Sequence, residues 1–516
     1  MRPASALTAR PRLFAALEAA FPVAFRGWVP GDADADAVIA IGDDALTTDL
    51  RPTFVVCGDG ELGAPVEDVT LSDHAGVDET VRGAVLCDRL VGAPLPADDG
   101  LDVLAVALDG PVWTRTRGPA EVHRVRCALP ELGPDNVLYA LLSQRPIAAV
   151  ALVHFLRALA AEGGWRAQPL RAAFVFDDPN LRWRSYGFID YRRLLEHADA
   201  HGYHAAMAMI PLDAGRPHRA TVSLFATRRD RLSLVVHGND HIKQELLATA
   251  DGDGALATAA QALRRIERFE RRSGLRVDRV MMPPHGLCSE DVARALAIVG
   301  FDALCAIHPR PWTERPPSAP LLAAWQPADF VAGCPVIPRI PLSSSQADIA
   351  LRAFLRHPLV VYGHHEDVAG GLEPLAEAAA KVNRVGDVRW TSVGEIAQSN
   401  YAERLSGDRL VIAPYARRLR VVPPAGAQVL AVQEPEDARG GPGMRGWSLG
   451  SDPTVRPFGA EAPLTSDGTL DVRLHGVGDV DANRVAAPTW RPWPKLRRAA
   501  TEMRDRMLPL RATRAR

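Results

Sequence analysis

The chain has 516 residues, of which 47% are hydrophobic and 24% charged, with 60 Lys and Arg against 62 Asp and Glu and a formal net charge of −2. That length is more than one core ordinarily fills, so several domains are expected, and the average composition argues against both wholesale disorder and a membrane bundle. Near-neutral charge gives no global attraction to nucleic acid, and six widely spaced cysteines (Cys57, Cys87, Cys127, Cys288, Cys305, Cys334) without a CxxC pair argue against a disulfide framework or thiolate zinc site.

At the N-terminus Pro11 and Arg12 interrupt any apolar stretch before it reaches signal-peptide length, so no export signal is read and a cytoplasmic setting is expected. The apolar run Ile147 to Phe155 is too short to span a bilayer. Short apolar runs at 37–41, 53–57, 103–108 and 112–114 read as strands, with helical stretches near 5–20 and 136–160; together they make an N-terminal α/β domain, 1–165, of unknown role. Its Asp43-Asp44 pair reads as a surface turn.

From 166 to 400 the pattern becomes strand, then amphipathic helix, many times over. Strands are expected at 174–176, 205–210, 232–236, 280–282, 303–307, 336–340, 359–362 and 388–390, and helices at 191–200, 255–272, 289–299, 346–356 and 393–399, with Ser289 as a helix start. This predicts an α/β fold, a closed and distorted (β/α) barrel, with a doubly wound open sheet as the alternative. Residues 401–485 read as a small β-rich domain, with strands at 410–413, 419–422, 429–432 and 470–474.

Polar residues gather where the barrel strands end, the place where parallel α/β architectures build their sites. Asp177 and Asp178 follow the first strand, His237 and His241 the third, Pro283-Pro284-His285-Gly286 the fourth, and His364-His365-Glu366-Asp367 a late one. In His237-Gly-Asn-Asp-His241 the four-residue spacing brings two imidazoles to one side if a first helical turn forms there. With Asp178 they make a three-ligand face for a divalent ion, Zn²⁺ or one of Co, Ni and Mn, leaving a position open for water. Such an ion lowers the pKa of water from about 15.7 towards 7, and Asp177 is then placed to take the proton.

In these motifs the stretch 170–400 resembles the polysaccharide deacetylases of carbohydrate esterase family 4, the NodB-homology domain. The resemblance implies a distorted barrel and hydrolysis of N- or O-acetyl groups on sugars with one divalent metal. It further implies Asp177 as catalytic base, Asp178, His237 and His241 as ligands, and His364 as the general acid, with His365 its rival. Two positions depart from the pattern. Met282 stands where the family has an arginine that orients the base, with Arg279 a candidate to compensate, and His285 stands where an aromatic is common, beside Pro284 in the expected substrate pocket. Trp183, Tyr186 and Trp390 are candidates to stack on sugar faces, Trp390 being equally a core residue.

Residues 486–516 form a basic tail: from 495 onward eight Lys and Arg face Glu502 and Asp505, and Leu496, Met503, Met507 and Leu510 fall near one helical stripe. Such a helix lies either on an anionic membrane surface or packed on the β-rich domain. The function expected is a metal-dependent hydrolase acting on an acetylated glycan, not nucleic acid; the alternatives are an amidase on a non-sugar N-acyl substrate and a catalytically silent glycan-binding protein.

Overall fold

The structure is a computed structural model that describes the chain apart from residues 2–3, 22, 30–33, 43–50, 59–65, 99, 117, 119–120, 130, 133–145, 163, 248–251, 307–326, 436–443, 465–467, 477–478, 490 and 515–516. The Asp43-Asp44 turn, the start of the helix expected over 136–160 and the end of the strand expected over 303–307 lie outside the described residues. Two compact units emerge, one centred on Met1–Trp165 and the other on most of Arg166–Arg516.

In the second unit the expected barrel is present. Its strands are β1 (Leu170–Asp177), β2 (Ala205–Met209), β3 (Leu232–His237), β4 (Val280–Met282), β5 (Ala303–Ala306), β6 (Cys334–Pro341) and β7 (Leu359–Gly363). Each pairs in parallel with the next, and β7 returns to β1, so the sheet closes. A further strand, β8 (Val388–Trp390), joins the base of β1 in parallel, and Asp329–Val331 adds an antiparallel edge to β6.

Every residue of β1 and β2 is buried, as expected for strands covered on both faces. Ala173 and Val175 of β1, Ala206 and Ala208 of β2, and Ile337 of β6 share one interior cluster. Because side chains alternate along a strand, Asp177 continues the inward row of Ala173 and Val175, and Arg339 that of Ile337.

The helices are α1 (Tyr191–His201), α2 (Arg219–Thr227), α3 (Gly252–Ser273), α4 (Glu290–Val299), α5 (Glu373–Asn383), α6 (Val393–Gln398) and α7 (Trp493–Arg514). Their ends are chemically marked. The Asp190 carboxylate accepts the Arg192 and Arg193 N–H groups before α1, and the Ser289 hydroxyl accepts Val292 N–H before α4. Gly202 and Gly300 close these two helices in left-handed conformations.

Past the barrel, a five-stranded sheet and a three-stranded sheet (Arg418–Val421, Leu470–His475, Gly446–Leu449) enclose a core of Leu410, Ile412, Leu419, Val472 and Trp447. The tail is helical, and α7 hydrogen-bonds to the segment that follows β1 through Glu502 and Asp505. Among the described residues no helix is long and apolar enough to cross a membrane.

The first unit is a seven-stranded mixed sheet with the helix Pro146–Glu162, and Trp113 and His123 meet in its core. It also includes Gln346–Phe354, which the sequence pattern had assigned to the barrel.

Candidate active site

β1 ends by splitting two carboxylates. Asp177 is buried and faces inward, while Asp178 takes a left-handed backbone (φ 81°), a conformation that Asp accepts more readily than most residues. Its Oδ1 lies 3.3 Å from His241 Nε2 and 3.9 Å from His237 Nε2. Donors about 2.0–2.1 Å from one tetrahedral ion stand roughly 3.3 Å apart, so these separations suit a shared ion with little movement.

The donor chemistry agrees. His237 Nδ1 donates to the Met282 carbonyl at 3.0 Å, which leaves the lone pair on Nε2, towards Asp178. Burial lowers the pKa of His237 against the pull of Asp177 and Asp178, and burial with the neighbouring His237 lowers that of His241 to about 3, so both rings are neutral. Asp178 Oδ1 is itself buried and accepts no hydrogen bond. A buried carboxylate oxygen that accepts no hydrogen bond, facing two imidazole nitrogens and with the Arg498 guanidinium 3.5 Å away, has room in its coordination for a cation.

The connection from His237 to His241 is a loop and not the helical turn expected. Glu245, buried and unremarked in the sequence reading, accepts the N–H groups of Asn239, Asp240 and His241 at 3.0, 2.6 and 3.0 Å. Burial nevertheless pushes its pKa up to about 7. Gly238 (φ 60°) is required here, because a Cβ would lie 2.6 Å from Pro284 Cγ and 2.7 Å from Glu245 Oε2. Three acceptor contacts on one carboxylate thus hold His241 in its own left-handed conformation, φ 55°.

Arg339 supplies the partner that Met282 does not. Its Nη1 donates to Asp177 Oδ1 at 2.9 Å, and its guanidinium lies over the Tyr362 ring, 4.4 Å from the centroid. Burial disfavours the Asp177 carboxylate, but the charge and hydrogen bond of Arg339 outweigh it and hold the pKa below the usual value. Arg279, the candidate from sequence, instead pairs with Glu270 at 2.6 Å. The missed signal was a charged residue in the inward phase of an apolar strand.

The remaining candidates divide. His364 is exposed at the end of β7, its backbone N–H held by Asp367 Oδ2 at 2.7 Å, and exposed His285 lies with its ring 5.5 Å from that of His241. Pro284 is buried against the Gly238 loop. His365, the rival to His364 as general acid, is buried against Tyr186 and Phe188. Tyr186 is also buried, its hydroxyl donating to Asp505 of α7 at 2.9 Å, so its ring face is closed to a sugar. Trp183 is exposed with the Arg506 guanidinium 4.7 Å from its ring centre, and half-buried Trp390 packs on the core residue Phe174.

A second cluster, His365 with Glu366 and Asp505, has ligand-type atoms close together. It is less apt for an ion: Asp505 is already taken by Tyr186 and Arg504, and buried His365 Nδ1 lacks the acceptor that orients a ligating histidine. Clefts of about 210 and 340 Å³ elsewhere on the unit contain no residue of the Asp178 triad, so chemistry and not cavity size locates the site.

No protein-family model and no curated protein matches the chain. Among solved structures, the novel carbohydrate deacetylase Agd3 is similar at 11% identity and TM-score 0.48, over 92% of this chain and 98% of that one. A family 4 carbohydrate esterase from Streptomyces lividans in complex with acetate gives 15% and 0.24, over 43% and 87%. BA3943, a family 4 pseudoenzyme from Bacillus anthracis, gives 12% and 0.28, over 45% and 67%.

Replacing Asp178, His237 or His241 by Ala is expected to remove the bound ion, read as the metal-to-protein ratio after gel filtration; a ratio equal to wild type refutes the ligand set. Arg339→Gln leaves Asp177 buried without its cation, so unfolding in denaturant should show a loss of about 3–5 kcal/mol. Glu245→Ala strips three backbone donors of their acceptor, at about 1–3 kcal/mol for each that water does not reach, and should weaken metal affinity with it.

Proposed function

We propose that this chain is a metal-dependent hydrolase that removes acetyl groups from N-acetylated sugars of a polysaccharide or glycoconjugate. The observation that carries the reading is Asp178 Oδ1, buried without a hydrogen bond opposite two neutral imidazoles, beside a second carboxylate that has its own buried arginine. A bound divalent ion supplies Lewis acidity and acidifies water.

The rest of the work falls to the chain. Asp177, kept ionised by Arg339, accepts the proton of the attacking water. Arg339 fixes the direction of that carboxylate by holding Oδ1, and the Tyr362 ring backs the guanidinium. His364, exposed at the mouth, delivers a proton to the departing amine nitrogen. Arg339, hydrogen-bonded to Asp177, supports the catalytic reading over a silent glycan-binding one although Met282 stands where an arginine was expected.

The outward face of α7 suggests a location. Trp493, Leu496, Met503 and Met507 are 67%, 62%, 63% and 43% exposed, Arg491, Lys495 and Arg504 beside them are exposed and basic, and Glu502 and Asp505 turn inward. We propose that this face lies on an anionic membrane surface. Flotation with phosphatidylserine vesicles should recover wild type but not a Trp493→Ser, Met503→Ser variant; equal recovery of both, or concentration-dependent dimerisation without flotation, contradicts it.

Acetate release from a panel of N-acetylhexosamine oligomers should be metal-dependent, and Asp177→Asn should keep the ion while losing turnover by about 10²–10⁴-fold. Retained turnover in Asp177→Asn excludes it as the base. The pH dependence follows from the lowered pKa of Asp177: the base is active above that value and is lost as pH falls through it. A fraction of turnover should survive in Arg339→Gln, with its acid limb moved upward by roughly 1–3 pH units.

A further inference from the structure

The face that α7 turns to the barrel is charged, and most of its groups are consumed there. Glu502 takes Arg182 at 2.9 Å and also Arg506, while Asp505 takes Tyr186 and Arg504. Arg498 differs. It is only 3% exposed, its Nε donates to Asp213 Oδ2 at 2.8 Å, and its Nη1 lies 3.5 Å from Asp178 Oδ1. Its Nη2 is buried with no hydrogen-bond partner.

Asp213 belongs to a single turn, Pro211–Asp213, that follows β2. One guanidinium therefore joins the ends of β1 and β2 to the C-terminal helix. Asp213 is buried as well, and burial raises its pKa against the pull of Arg498, so the pair is a fixed anchor in a dry setting. Leaving a buried donor unmet costs about 1–3 kcal/mol, and more when it is charged. Native chains seldom leave such a group without a use.

We propose that Arg498 contacts the substrate, with its unpartnered Nη2 directed to the oxygen of the scissile acyl group and, after hydrolysis, to the carboxylate of the released acid. This rests on the hydrolase reading above and adds a residue to it. The acyl oxygen gains negative charge as water attacks, and a fixed cation beside it needs no reorganisation at that moment. A guanidinium also presents a planar fork matched to a carboxylate. Arg498 keeps its protons throughout; Asp213 acts through it and is a positioning residue.

The test uses full-length, metal-loaded protein and two variants, Arg498→Met and Arg498→Lys. Metal content, acetate affinity by titration calorimetry, and kcat with KM on one N-acetylated oligomer are measured for each. Both variants should keep the ion, bind acetate at least tenfold more weakly, and Arg498→Met should lose about 10²–10³-fold in kcat, the range for removing one oxyanion donor. Lysine retains the charge and the Asp213 contact, so that variant remains informative if the methionine variant does not fold. Unchanged acetate affinity in Arg498→Lys overturns the proposal, as does a loss of activity that only follows a loss of metal. Wild-type protein that holds no ion defeats the hydrolase reading itself, while the acetate titration still reads Arg498.

Discussion

Two adjacent carboxylates at the end of β1 set the electrostatic problem around which the barrel mouth is organised. Asp177 is settled by Arg339 reaching across the interior from β6, a buried charge-assisted pair at 2.9 Å. Asp178 is not hydrogen-bonded in this way: its Oδ1 faces His241 Nε2 at 3.3 Å, Arg498 Nη1 at 3.5 Å and His237 Nε2 at 3.9 Å. The same local sequence therefore yields one carboxylate hydrogen-bonded by its arginine and one whose buried oxygen accepts no hydrogen bond. That asymmetry gives each residue a different chemical role.

Holding this arrangement has a conformational cost, and the cost is concentrated at the site. Asp178, His241 and His285 all adopt left-handed backbone conformations, which non-glycine residues avoid unless the surroundings impose them. The surroundings here are specific. Glu245 gathers three N–H groups of the His237–His241 loop, Gly238 lets Pro284 close over it, and Met282 O fixes the tautomer of His237. The side chains of Asp178, His237 and His241 are thus placed by the backbone around them.

The barrel was legible because its strands are short apolar runs ending in polar residues, a pattern that repeats with helices between. Asp177, Asp178, His237, His241 and His364 stood out for the same reason, each sitting just past an apolar run. Residues that act from elsewhere were hidden. Arg339 looked like one charge in the stretch Cys334–Pro341, and only the inward phase shared with Ile337 betrays it. Glu245 acts on backbone groups, which no motif records. In α7 the usual rule of amphipathicity is reversed: the apolar stripe faces outward and the charged face is buried, so an isolated helical wheel points away from its true docking surface. Gln346–Phe354 is helical as its pattern indicates, and it groups with the first compact unit, which a helical pattern alone does not record.

The central claim is that Asp178, His237 and His241 form one metal-binding face. X-ray absorption at the edge of the metal bound to purified protein tests it most directly. The account predicts a first shell of nitrogen and oxygen at about 2.0–2.1 Å with the outer-shell signature of two imidazoles. A shell containing sulfur, or one without two imidazoles, would contradict it.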